Sequence, residues 1–255
     1  MTPLVRMSLR KLGRVGLVFL LTILSTIFAI ILNFSIVDWL DFAYLPEQDI
    51  VVICIITMLV TPLLSWYLVG LFFKIDQMEV QMARLATMDS MTNTYNRGYF
   101  YENSKHYLST LLALKQPNQS SLLVLDLDDL KRINDQFGHA GGDQVLIAFS
   151  KIVLNVVQEP NFVGRLGGDE FVVFLKESSL DDAQALATEI VDRVRSIKVE
   201  SDGHSISFSV SVGLSSFTGY DTSDLDKAIK SADSALYDVK RSGRNGYAVY
   251  YANQK

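Results

Sequence analysis

Polar and apolar positions divide the chain into unlike parts. From Val15 to Val37 no charged residue occurs, a run long enough to cross a bilayer as one helix. A second uncharged run covers residues 50–73. Its Pro62 is tolerable in a membrane helix, and Trp66 and Tyr67 stand where an interface would hold them. A signal peptide is the other reading of the first run. The run exceeds the apolar region of such peptides, and no small-residue cleavage site is evident. The pattern therefore predicts a two-helix membrane anchor over 1–73, with spans at about 15–37 and 50–73.

Residues 74–88 form a linker in which Ile75, Met78, Met82 and Leu85 follow 3-4-3 spacing, a short heptad seam. Two readings stay open: an amphipathic helix lying on its own domain, or a parallel dimerisation helix continuing the second span.

Residues 89–255 carry the alternating signals of an α/β (α+β) domain. Helices are expected over 97–114, 142–157 and 180–197, with a break at Pro117–Ser120 after the first. Leu122 to Leu125 reads as a buried central strand. Phe162–Val163 and Phe171–Leu175 flank Gly167–Gly168, a hairpin with a tight turn. Ile206 to Val212 alternates as a strand with a serine-rich face. Ser223 and Asp226 predict the start of a helix running to about Arg241, and Tyr247 to Tyr250 is a last strand. No internal repeat or low-complexity tract is present.

Charge adds an orientation. The leader holds Arg6, Arg10, Lys11 and Arg14, whereas the link between the spans holds Asp38, Asp41, Glu47 and Asp49 and no basic residue. Both termini are therefore expected in the cytoplasm, with the protein a multi-pass membrane component. The outer loop is too short to be a sensor domain, so a signal must enter through the hairpin, the loop or a membrane or periplasmic partner. The single cysteine, Cys54, lies in the second span and allows no disulfide within one chain. Beyond residue 73 the chain is net acidic without a basic stripe, which argues against nucleic-acid binding.

The candidate chemistry lies in two acidic segments. One is Asp126-Leu127-Asp128-Asp129-Leu130-Lys131-Arg132-Ile133-Asn134-Asp135, and the other is Arg165-Leu166-Gly167-Gly168-Asp169-Glu170-Phe171. Asp126 ends the buried strand, where open α/β sheets face their ligands. If the Asp169–Glu170 turn lies on a neighbouring strand, three carboxylates converge. Hard oxygen donors favour magnesium, which usually keeps substrate phosphates among its ligands.

Five ordered motifs resemble the GGDEF-domain diguanylate cyclases over roughly residues 86–252. They are Asp89-Ser90-Met91-Thr92 through Arg97, the Asp126–Asp135 segment, Gly138-His139-Ala140-Gly141-Gly142-Asp143, Gly167–Phe171, and Ala232–Tyr237 with Lys240 and Gly243-Arg244-Asn245. The resemblance implies a ferredoxin-like nucleotide-cyclase fold with a mostly antiparallel sheet. It implies condensation of two GTP into cyclic di-GMP and two pyrophosphates by a homodimer, each domain supplying one GTP. Two magnesium ions per site are implied, with manganese as a substitute. Asp126 and the Leu127 carbonyl match metal positions. Asp169 and Glu170 match the remaining carboxylates, for metal binding and for deprotonating the ribose 3′-hydroxyl, in an order the motif leaves open. Asn134 and Asp143 match guanine readers, and a carboxylate suits the N1–H and N2–H₂ donors of guanine. Asn134 as a turn residue and Asp143 as a helix N-terminal charge are the plainer alternatives. Lys131, Lys240 and Arg244, with the backbone amides of Asp129 and Leu130, match phosphate contacts. Leu130 stands where the family usually has Phe. His139 reads as a structural hydrogen-bonder, and the role of Arg165 stays open. The competing reading is a catalytically silent GTP-binding or scaffold protein.

One departure has a consequence. Where many members carry an inhibitory Arg-x-x-Asp, this chain has Gln158-Glu159-Pro160-Asn161. Glutamine cannot replace an arginine that clamps a phosphate or guanine. The expectation is that added cyclic di-GMP does not inhibit turnover through this site, leaving initial rates within about twofold. Inhibition that disappears in Gln158→Ala would contradict it.

Overall fold

The computed structural model describes residues 3–40, 46–115, 118–219 and 222–251. Asp41 of the link between the spans and Pro117 of the predicted break lie outside the described residues, as do the side chains of Arg6, Arg10 and Glu47. The chain divides into two compact units, residues 1–83 and 84–255.

The first unit consists of α1 (Pro3–Leu40), interrupted at Gly13 by a positive φ of 67°, and most of α2 (Pro46–Thr87). Lys11–Trp39 and Gln48–Thr87 are long and apolar enough to cross a membrane. The two helices pack antiparallel. The Ser25 hydroxyl donates to Thr61 Oγ1 at 3.2 Å, and the Thr26 hydroxyl to Thr57 Oγ1 at 3.1 Å. Small polar side chains at such a contact allow close approach and add hydrogen bonds between the helices. Arg14 lies across Gly70, donates to the Trp66 carbonyl at 2.9 Å, and stands 4.0 Å above the Trp66 ring. Helix α2 continues through the predicted linker, and Ile75, Met78, Met82 and Leu85 are all exposed.

The second unit contains β1 (Tyr95–Asn96), α3 (Arg97–Leu114), β2 (Asn118–Leu127), α4 (Leu130–Val156), β3 (Phe162–Gly167), β4 (Glu170–Leu175), α5 (Leu180–Ser196), β5 (Val199–Ser201), β6 (His204–Ile206), β7 (Val210–Gly219), α6 (Thr222–Arg241) and β8 (Gly246–Val249). The main sheet runs β1-β3-β4-β2-β7-β8, and β5-β6 form a separate hairpin. The three central pairings are antiparallel; the edge pairings β1–β3 and β7–β8 are parallel. The inner four strands with α4 and α5 form the ferredoxin-like arrangement, as expected.

Strand β2 is buried on both faces, which explains its unbroken apolar run. Leu123, Leu125 and Leu127 join Val145, Phe149 and Val153 of α4 and Ala187, Ile190 and Val194 of α5 in one core. Leu122 and Val124 face the other core, with Phe100 and Leu108 of α3 and Ala228, Ala232 and Leu236 of α6. Asp126 follows Leu122 and Val124 on this second face, because side chains alternate along a strand.

Helix α6 approaches the sheet closely because β7 presents small residues to it. The Ser215 hydroxyl donates to the Ala228 carbonyl at 2.7 Å. A Cβ at Gly213 would stand 2.0 Å from the Ala232 carbonyl oxygen and 2.4 Å from the Leu236 nitrogen, both backbone atoms.

The expected single strand over 206–212 is corrected. Ile206 closes β6, Val210 opens β7, and residues 207–209 are irregular. The run is interrupted because Ile206 pairs with Val199 in the separate hairpin, whereas Val210 belongs to the main sheet. The Asp128 amide still donates to the Ser209 carbonyl at 2.9 Å, in continuation of the β2–β7 register. The last helix starts at Thr222, so Ser223 lies in its first turn rather than at its cap. Helix α4 begins twelve residues before the expected Gly142, breaking only at Gly138.

Gly213→Ala is expected to destabilise the protein by about 3 kcal/mol or more, since neither backbone atom can move aside cheaply. Gly246→Ala meets nothing nearer than 4.0 Å and should stay within about 0.5 kcal/mol. Thermal unfolding of the two variants in detergent checks the contrast.

Candidate active site

The site is assembled where β2 ends and the β3–β4 hairpin turns. Asp126 pairs directly with Glu170 on one side and Ser211 on the other. Directly paired residues present their side chains on the same face, a few ångströms apart. The hairpin loop is Gly168–Asp169, with Gly168 at φ 50°, and the Leu127 amide donates to the Asp169 carbonyl at 3.3 Å. Asp126 is buried, Asp169 half-buried and Glu170 exposed.

Arg165 braces the turn. Its guanidinium donates to the Gly168 carbonyl through Nε at 3.0 Å and Nη2 at 2.7 Å, and pairs with Asp89 at 3.1 Å. These contacts give Arg165 a structural part in holding the turn. Burial alone would push the Asp89 carboxyl up. Hydrogen bonds from the Thr92 hydroxyl and amide, with Arg165, outweigh it and hold the group below its ordinary value.

Asp126 goes the other way. Burial pushes its carboxyl up, and the charges of Asp169 and Glu170 add to that; a 2.8 Å contact with Lys240 Nζ offsets it only in part. Among the described residues, no three His, Cys, Asp or Glu side chains close into a metal cage. The donor set nevertheless fits a hard divalent cation. Asp126 feels the charges of Asp169 and Glu170, and magnesium takes only one or two carboxylates, completing its shell from water and phosphate.

Gly138, with φ 74° and ψ 167°, breaks α4 and turns the chain between the two halves of the helix. The turn lays Asn134 against Gly142, where a Cβ would fall only 1.8 Å from Asn134 Oδ1. Asp143 follows, exposed at the same bend, and Asn134 is half-buried. These two predicted readers are therefore neighbours. His139 is exposed beside them.

At the start of α4, Asp129 adopts a left-handed conformation (φ 54°) and makes no side-chain cap. The first-turn amides, Leu130 among them, thus have no partner within the helix and offer an anion-binding end. Lys131 is exposed on that turn. Arg244 Nε lies 3.7 Å from Asp129 Oδ1, so Lys240 and Arg244 both reach the acidic end of β2.

Sequence reasoning assigned nothing to Asp128. It is 5% exposed and accepts from the hydroxyls of Ser209 and Ser211, each at 2.6 Å, and from the Asn245 amide at 3.1 Å. The serine alternation through 207, 209 and 211 was the available signal, although nothing local pairs it with position 128. At the predicted departure, Gln158 Nε2 donates to the Asn155 carbonyl, and Asn161 Oδ1 accepts the Lys176 amide.

Residues 86–246 match the family described as diguanylate cyclase, GGDEF domain, and the chain belongs to that family. Diguanylate cyclase A of Treponema denticola is 34% identical over 166 residues, covering 65% of this chain and 44% of that protein. Diguanylate cyclase DgcM of Escherichia coli is 37% identical over 169 residues, covering 66% of this chain and 40% of that protein. The chain thus spans less than half the length of either relative. The coiled coil and GGDEF domain of DgcB from Caulobacter crescentus, crystallised in complex with c-di-GMP, aligns with a TM-score of 0.64 at 26% identity. That alignment covers 73% of this chain and 98% of the other. The family resemblance carried by the five motifs and the fold it implied are both borne out.

Because the folded-state carboxyl of Asp89 lies below its ordinary value of 3.8, its stabilisation is complete above that pH and is lost as pH falls through the lower folded value. Asp89→Asn should therefore cost about 1–2 kcal/mol at neutral pH. The gap from wild type should close below about pH 3.8, as unfolding curves across pH 2.5–7 would show.

Proposed function

We propose that this protein is a membrane-anchored diguanylate cyclase, condensing two GTP into cyclic di-GMP and two pyrophosphates as a homodimer. The observation that carries the reading is the direct pairing of Asp126 with Glu170 at the hairpin turn, with Lys240 on Asp126 and Arg244 near Asp129. One site thus joins carboxylates suited to a metal with cations suited to a triphosphate.

In this reading Asp126, Asp169, Glu170 and the Leu127 carbonyl would hold two magnesium ions, for which manganese could substitute. Bound there, the metal would neutralise phosphate charge and acidify the attacking hydroxyl. Asn134 and Asp143 read guanine, the carboxylate accepting from N1–H and N2–H₂, a donor pair adenine lacks. The amides of Asp129 and Leu130, with Lys131, Lys240 and Arg244, hold the phosphates of the bound triphosphate and stay on the pyrophosphate as it leaves. The turn carboxylates Asp169 and Glu170 share the metal-holding and proton-accepting roles. The ribose 3′-oxygen loses its proton and bonds to the α-phosphorus of the partner's GTP. The bond from that phosphorus to pyrophosphate breaks.

The product has two-fold symmetry, so two domains must meet face to face. The exposed row Ile75, Met78, Met82 and Leu85 on α2 supports a parallel dimerisation helix over 74–88, between an anchor at 1–73 and a catalytic domain at 89–255. The basic leader supports cytoplasmic termini in a bacterial inner membrane, with input through the hairpin, its loop or a membrane partner.

Incubation of the full-length protein in detergent with GTP and Mg²⁺, read by mass spectrometry, tests the activity. Cyclic di-GMP from wild type and none from Glu170→Ala is expected. GTP binding without product, even after dimerisation is enforced by a fused zipper, would instead make the protein a silent GTP binder. Gly142→Ala, which displaces the Asn134 amide, should raise the KM for GTP about tenfold or more with little change in kcat.

A further inference from the structure

We propose that Asp128 is a positioning residue that holds Arg244 in place for the triphosphate while touching neither substrate nor metal; this rests on reading the site as a GTP site. The acidic end of β2 meets the basic end of α6 at three points. Asp126 takes the Lys240 ammonium and Asp129 the Arg244 guanidinium. Asp128, between them, takes a backbone amide, that of Asn245. The outer two contacts are made by flexible side chains, whereas the middle one fixes main chain.

That main chain is unusual. Gly243, Arg244 and Asn245 all have positive φ, at 112°, 66° and 54°. For Arg244 and Asn245 such a conformation persists only where the surroundings over-determine it. One side is held by α6 itself, through the Arg244 amide donating to the Val239 carbonyl at 3.0 Å. The other side is held by Asp128 Oδ2, which accepts the Asn245 amide and the Ser209 hydroxyl. Oδ1 takes the Ser211 hydroxyl, and the Asp128 amide donates to the Ser209 carbonyl at 2.9 Å. Both carboxylate oxygens are thus committed inward, which separates Asp128 from Asp126 two residues before it. The bracket joins the ends of β2, β7 and α6, and Arg244 hangs from its corner.

Asparagine at 128 keeps the shape but removes the charge that strengthens all three hydrogen bonds. It also turns one acceptor into a donor to which a serine hydroxyl must reorient, so the hold on the Asn245 amide weakens. Steady-state kinetics of the full-length protein in detergent is the test. Asp128→Asn is expected to raise the KM for GTP about tenfold with kcat within about twofold. Because Asp128 acts through Arg244, the Asp128→Asn/Arg244→Ala double variant should be no worse than Arg244→Ala alone. A fall in kcat at unchanged KM, or a double variant losing the product of both effects, would overturn the proposal. Should Asp128→Asn fail to fold, Ser209→Ala with Ser211→Ala carries the same test. A severalfold rise in KM at constant kcat supports the proposal, and an unchanged KM overturns it. A wild type that neither turns over nor binds GTP refutes the functional reading and this inference together, whereas an active wild type with additive variants refutes this inference alone.

Discussion

Like charge brought together at the end of a buried strand is the constraint on which the site depends. Asp126 lies in the plane of the sheet, flanked by β4 and β7, with the charges of Asp169 and Glu170 close by. Such an arrangement raises the cost of ionising Asp126 and is tolerable only with cations at hand. Lys240 supplies one from α6. The remaining unfavourable interaction is one that a bound cation would relieve.

Much of the surrounding fold serves to bring Lys240 and Arg244 to that point. Gly213 lets α6 lie against β7 at backbone contact distance, and Ser215 ties the helix to the strand. The left-handed residues after α6 turn Arg244 back over the acidic segment. On the other flank, Arg165 fixes the hairpin turn by its Gly168 carbonyl and anchors it to Asp89. Glu170 is thereby held opposite Asp126 by two neighbouring elements as well as by its own strand register.

The sequence made the strand and hairpin carrying the carboxylates legible, because an apolar run ending in Asp126 and a Gly-Gly turn are local signals. It also separated the two apolar helices from the α/β portion. What it did not show depends on distant partners. Nothing near Asp128 marks Ser209, Ser211 and the Asn245 amide as its donors, so its place in the site was invisible. Residues 207–209 read as strand from their alternation, although the chain there passes from the β5–β6 hairpin to the main sheet. The Gly138 break was present as a motif. Its consequence, Asn134 packed on Gly142, is a three-dimensional contact that periodicity does not encode.

The most direct test of this account is calorimetric titration of the full-length protein in detergent with non-reactive GTP and ATP analogues, each with and without Mg²⁺. If the carboxylates hold Mg²⁺, the cations the phosphates, and Asn134 and Asp143 the guanine, as proposed, the GTP analogue binds with Mg²⁺. Binding should weaken at least about tenfold when Mg²⁺ is withheld or when adenine replaces guanine. Equal affinity without Mg²⁺, or equal affinity for the ATP analogue, would contradict it.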